Sequence, residues 1–61
     1  MKKIDFCVRL DYYDRVIDIA HFDTRDARDA YMYQQLANHR VKHIGWFEDD
    51  KHTQTQIEWL S

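Results

Sequence analysis

The chain predicts one small α+β domain spanning residues 1–61, with the element order strand–strand–helix–strand–strand. Two observations carry this. Apolar and polar residues alternate with period two at the start of the chain, and a helix-capping pair, Asp23-Thr24, follows the second apolar stretch. The strands within each pair are separated by aspartate-rich turns, Asp11-Tyr12-Tyr13-Asp14 and Asp49-Asp50-Lys51. The expected architecture is a four-stranded, mainly antiparallel sheet with the single helix packed on one face.

Lys3 to Leu10 reads as the first strand, because Ile4, Phe6, Val8 and Leu10 alternate with Asp5, Cys7 and Arg9. Asp11 and Asp14 bracket the following turn, where their carboxylates can accept from nearby backbone N–H groups. The second strand is Arg15 to Phe22. With Tyr12-Tyr13 at the tip, Val8 faces Ile17, Phe6 faces Ile19 and Ile4 faces His21, while Cys7 meets Asp18 and Arg9 meets Val16. This register gathers most of the bulky apolar residues on one face.

The helix is expected from Asp23 or Thr24 as N-cap, with Asp26 favourable in the first turn, to about Asn38. Ala27, Ala30, Tyr31, Gln34 and Ala37 share one side, where small residues permit close approach to a sheet. Met32 and Leu36 make a second apolar stripe, and the pattern leaves open which stripe is core. Asn38-His39-Arg40 suits a helix C-terminus. Val41 to Glu48 and His52 to Leu60 complete the strands. With Asp50-Lys51 at the tip, Ile44 faces Ile57, Trp46 faces Thr55 and Trp59 lies opposite Lys42, leaving Val41, Phe47 and Leu60 on the other face; moving the tip by one residue swaps the sets. The helical crossover points the second and third strands the same way, so the spatial order 2-1-3-4 keeps every neighbouring pair antiparallel.

Composition narrows the function. The net charge is −2, from 9 basic and 11 acidic residues interspersed along the chain, which gives neither a phosphate-binding stripe nor a DNA-like acidic surface. The single cysteine, Cys7, makes an intrachain disulfide impossible and suits a reducing cytoplasm, the expected location, or the host cytoplasm for a phage-encoded chain. No apolar run approaches the ~20 residues of a membrane span, and Met1-Lys2-Lys3-Ile4-Asp5 leads toward a strand rather than an apolar signal segment. A membrane partner is therefore not expected. Small domains often gain stability by association, so a homodimer remains open.

The residues that could carry chemistry do not assemble into a motif. His39 and His43 straddle a helix end and a strand, which removes the helical four-residue ligand spacing. His52 with Asp49 and Asp50 could gather at a hairpin tip, but the ordinary reading is a solvated turn. His21 on a core face reads as a bonded structural residue, and Cys7 beside Asp18 would have a raised pKa and low reactivity. With one glycine there is no phosphate-cradling loop. No catalytic, metal or cofactor residue is nominated and no enzyme is expected; a small histidine-dependent nuclease stands as a minor alternative.

Binding accounts for more of the unusual features. A sheet with one helix has an uncovered face, and Val16, Val41, Phe47 and Leu60 are its expected apolar residues. Tyr12 and Tyr13 at the first turn, and Met32 and Leu36 on the helix, complete the expected partner-binding set. The expected function is thus a non-enzymatic protein-binding module. The main alternative is a single-stranded nucleic-acid binder using Phe47 and Arg9, a reading opposed by Asp5, Asp18 and Glu58 on the same expected face. In size and element order, with Thr24-Arg25-Asp26-Ala27 opening a helix after a hairpin, the chain is similar to the very small proteins that phages and other mobile elements use against host machinery. That resemblance implies an inhibitor or adaptor that occludes a host defence, toxin or transcription protein.

Overall fold

The computed structural model describes residues 4–49 and 56–60. Its elements are β1 (Asp5–Tyr12), β2 (Ile17–Phe22), α1 (Arg25–Gln35), β3 (Val41–Asp49) and β4 (Glu58–Trp59). They form an α+β fold with an antiparallel sheet in the order β2-β1-β3-β4, as the sequence predicts. Strand β1 therefore occupies the interior of the sheet, paired on both sides. Among the described residues no helix is long and apolar enough to cross a membrane.

Both hairpin registers differ from expectation, and each difference turns a strand over. In the first hairpin Val8 pairs with Ala20, Arg9 with Ile19 and Cys7 with His21, so Ile17, Ile19 and His21 leave the core face. The cause is the loop. Instead of a two-residue tip, Tyr13-Asp14-Arg15 forms a three-residue connection, closed by the Tyr12 N–H to Val16 carbonyl bond (2.9 Å) and the Arg15 N–H to Tyr12 carbonyl bond (3.0 Å). Arg15 has φ 74°, the left-handed position such loops require. Asp14 Oδ1 accepts from the Val16 N–H at 3.2 Å, the aspartate role expected of this turn.

In the second pair Gly45 lies opposite Trp59 and Trp46 opposite Glu58, and the Leu60 N–H donates to the Ile44 carbonyl at 2.8 Å. Trp59 thus lies opposite Gly45 rather than Lys42, and Leu60 moves to the Ile44 row on the helix-bearing face. The expected hairpin tip at Asp50-Lys51, with His52 and Thr55, falls outside the described residues. A register shift between Asp11 and Tyr12, whose partners are His43 and Val41, bulges Lys42 out of the ladder.

The helix starts where the capping pair predicts. Thr24 is the N-cap, with extended backbone and its Oγ1 accepting from the Ala27 N–H (3.2 Å). It ends earlier than expected, at Gln35, through a series of tighter turns from Leu36 to Asn38. Its inward residues are Arg28, Tyr31, Met32 and Gln35, spaced at three and four, while Ala27, Ala30, Gln34 and Ala37 are exposed. Met32 joins Val8, Leu10 and Ile44 in the core, with Tyr12, Phe22, Tyr31, Val41 and Trp46 packed around them. The Phe22 and Tyr31 rings lie 5.1 Å apart.

The three-residue loop generates a stability test. A non-glycine residue in the left-handed region costs ~1–2 kcal/mol, and a glycine gives back ~0.5–1 kcal/mol in unfolded-state entropy. The net gain of ~0.5–1 kcal/mol is therefore expected to raise the melting temperature of Arg15→Gly by ~2–8 °C, at ~4–8 °C per kcal/mol for a domain this small. A lowered melting temperature for Arg15→Gly would contradict the loop geometry.

Candidate functional site

The face of the sheet opposite α1 is built from alternate residues of every strand. Asp5, Cys7, Arg9 and Asp11 of β1 share it with His21, Ile19 and Ile17 of β2 and with Asp49, Phe47, Gly45 and His43 of β3. Trp59 joins from β4 opposite Gly45, and Ile57 two residues earlier reaches the same glycine. Ile17 (55% exposed), Ile19 (43%) and Trp59 (49%) are open to solvent here.

One row organises the centre of the face: Ile19, Arg9, Gly45 and Trp59, side by side across four strands. Gly45, the only glycine in the chain, makes that row possible. A Cβ there would lie 2.6 Å from Ile57 Cγ2 and 3.0 Å from Trp59 Cε3, so any side chain would force the Ile57 and Trp59 side chains to shift. Across the gap the Arg9 guanidinium sits 5.5 Å from the Trp59 ring centroid, while its Nε donates to Asp11 Oδ1 at 2.7 Å. The Trp59 ring also meets His43 edge-on, 6.1 Å between centroids. Arg9 and Trp59 are thereby held in fixed positions.

At the far end of the same face three different side chains converge. His21 Nδ1 lies 2.7 Å from Asp5 Oδ2 and 3.4 Å from Cys7 Sγ. Cys7 is fully buried although it lies on the open side, opposite Phe47 and His21. Burial, then the charges of Asp5 and Asp49, push its thiol up to about 11. In a nucleophile relay the thiol and the carboxylate approach different nitrogens of the imidazole. Here both approach Nδ1, and the thiol is held in its unreactive form, so the trio lacks the geometry of an activated cysteine. Low reactivity was expected of Cys7, but the carboxylates responsible are Asp5 and Asp49 rather than Asp18.

The expected partner-binding residues scatter. Phe47 lies on the open face, as expected, and is half-buried. Tyr13 (67% exposed) and Val16 are exposed at the first loop, and the Tyr13 N–H donates to the Arg40 carbonyl at 3.1 Å. Val16 and half-buried Tyr12 line a shallow groove there with Asp14, Ile17, Asp18 and Arg40. Leu36 is exposed just past the helix. Met32 is core rather than surface, because it packs into Val8, Leu10 and Ile44. Val41 packs against that core too, and Leu60 lies on the helix side. Asp18 pairs with Leu10 and Glu58 with Trp46, so these two carboxylates also leave the open face. The residues that sequence reasoning missed, Ile17, Ile19 and Trp59, carry a bulky apolar signal that a three-residue first loop would have assigned outward.

Cys7 yields a pH prediction for the metal-free chain. A thiol with its pKa raised on folding favours the folded state fully below the unfolded value and loses that contribution as pH rises to the folded value. Stability is expected to hold up to about pH 9 and fall toward pH 11, with a flatter profile for Cys7→Ala. A profile of the same slope in both proteins would contradict it. No protein-family model, curated protein or solved structure matches this chain.

Proposed function

We propose that this chain is a non-enzymatic protein-binding module, whose open sheet face covers a surface on another protein. The observation that carries the reading is the set Ile17, Ile19 and Trp59, exposed together on the one face that no helix covers. Isolated exposed apolar residues are normal, but two isoleucines on one face with an Arg9–Trp59 pair have the composition of a binding hot spot. Pre-positioning matters because each side chain immobilised on binding costs ~0.5–1.5 kcal/mol. Arg9, already held by Asp11 and Trp59, has less of that cost left.

The chemistry of the face describes its partner. Ile17 and Ile19 on β2 and Trp59 on β4 flank Arg9, so the complementary surface is apolar where it meets these side chains. An inhibitor or adaptor of the phage or mobile-element type, occluding a defence, toxin or transcription protein of its host, is the role this reading favours. Single-stranded nucleic acid is the competing occupant, since Phe47 and Trp59 offer rings for stacking. Asp5, Asp11 and Asp49 on the same face disfavour phosphates.

The test compares face variants with a helix-side control. The unmodified chain is expected to capture one host protein at equal stoichiometry. Ile19→Glu and Trp59→Ala should weaken that complex at least tenfold, the loss of a hot-spot residue worth ~2 kcal/mol or more, while Tyr33→Ala on the exposed helix surface leaves it intact. Capture that survives both face variants would overturn the reading. So would salt-sensitive retention of single-stranded oligonucleotide lost in Phe47→Ala, or a homodimer that Ile19→Glu dissociates.

A further inference from the structure

We propose that Asp5, Cys7 and His21 form a zinc site at the end of the open face, with Cys7 Sγ, His21 Nδ1 and Asp5 Oδ2 as its protein ligands. The three donor atoms come from two neighbouring strands and all lie within 4.8 Å of one another. Asp5 and Cys7 are two apart on β1, which puts them on the same side, and the observed register sets His21 directly opposite Cys7.

One donor separation already fits a tetrahedral ion, and a second lies within reach of it. Ligand bonds of about 2.3 Å to sulfur and 2.0 Å to nitrogen or oxygen place neighbouring donors ~3.3–3.6 Å apart. Cys7 Sγ and His21 Nδ1 are already 3.4 Å apart. The 2.7 Å between His21 Nδ1 and Asp5 Oδ2 is a proton-sharing distance, which an ion would open by ~0.6 Å. Both side chains have room for this, with 60% of His21 and 34% of Asp5 exposed. Approach of thiol and carboxylate to one imidazole nitrogen is unsuited to a relay, but it brings the three donors into the one corner that coordination to a common centre requires.

The donor set selects the metal. Calcium and magnesium take oxygen ligands, whereas thiolate, imidazole and carboxylate together suit zinc. Asp49 stands opposite Asp5 on β3, so a second carboxylate adjoins the site. The exposed side of His21 leaves the fourth position to water. On binding, the Cys7 S–H bond breaks, its proton passes to solvent and the sulfur donates an electron pair to the ion. The imidazole keeps one proton, moved to Nε2. This site shares the open face with the protein-binding reading but does not rest on it, because coordination needs no partner.

Cobalt(II) followed by zinc(II) titration of the chelator-stripped chain tests the proposal. One equivalent of cobalt should give a thiolate-to-metal charge-transfer band with tetrahedral d–d bands, all removed by zinc. Zinc should raise the melting temperature and release roughly one proton per chain near neutral pH. His21→Ala and Asp5→Ala, both at solvent-reached positions, should keep their circular dichroism and weaken cobalt binding at least about tenfold. His39→Ala should bind as the unmodified chain does. If Cys7→Ser folds, its charge-transfer band is gone; if it does not, the His21 and Asp5 variants decide. No charge-transfer band at saturating cobalt, or undiminished affinity in His21→Ala, would overturn the site.

Discussion

Arg28 holds helix and sheet together. Its guanidinium lies 4.6 Å from the Trp46 ring centroid and 5.6 Å from that of Phe6, bonded through Nε and an Nη to Asp29 and 3.6 Å from Glu48. Burying a charge costs several kcal/mol. Two aromatic faces, at ~0.5–2 kcal/mol each, and two charge-assisted hydrogen bonds offset that cost. Phe6 belongs to β1 and Trp46 to β3, so the contact fixes the first turn of α1 over both strands. One turn later Met32 enters the space between Val8, Leu10 and Ile44. Replacing Arg28 with a smaller residue would remove the contact and leave Glu48 with Arg25, 3.5 Å away, as its cationic partner.

Everything on the opposite face follows from that placement. An 11-residue helix, ~16 Å long, spans roughly the width of four strands and can cover one side only. Ala20, beneath the helix, is small enough for close approach, and Phe22 reaches Tyr31, so these residues of β2 go inward while Ile17 and Ile19 go outward. Gly45 performs the matching service on the other side, giving up its own side chain so that Trp59, Ile57 and Arg9 can close over β3. The bare face is thus a product of core packing, and its exposed isoleucines are the residues the helix could not accommodate.

The element order, the strand order and the Thr24 cap were legible because they rest on periodicity and capping chemistry that act locally. The registers were not. Tyr13-Asp14-Arg15 carries no Gly or Asn at its left-handed position, so nothing in the sequence marked a three-residue loop. Strand β2 is apolar at both parities, with Ile17 and Ile19 on one and Ala20 and Phe22 on the other, and an odd shift exchanges them. Met32 and Leu36 looked alike as a stripe, but the helix ends between them and leaves Leu36 outside. Arg28 in the core runs against the usual exposure of arginine, and its burial becomes intelligible only with the rings of Phe6 and Trp46 and the carboxylate of Asp29 placed around it. The Asp5–Cys7–His21 cluster depends on the first register and was hidden with it.

The orientation of β2 is therefore the claim on which the open face, its partner surface and the donor cluster all depend. Interstrand nuclear Overhauser effects in solution measure it directly. Cross-peaks should connect Arg9 with Ile19 and Cys7 with His21, together with contacts from Phe22 to Tyr31. Cross-peaks connecting Val8 with Ile17 and Phe6 with Ile19 would turn β2 over, bury the isoleucines and contradict the account.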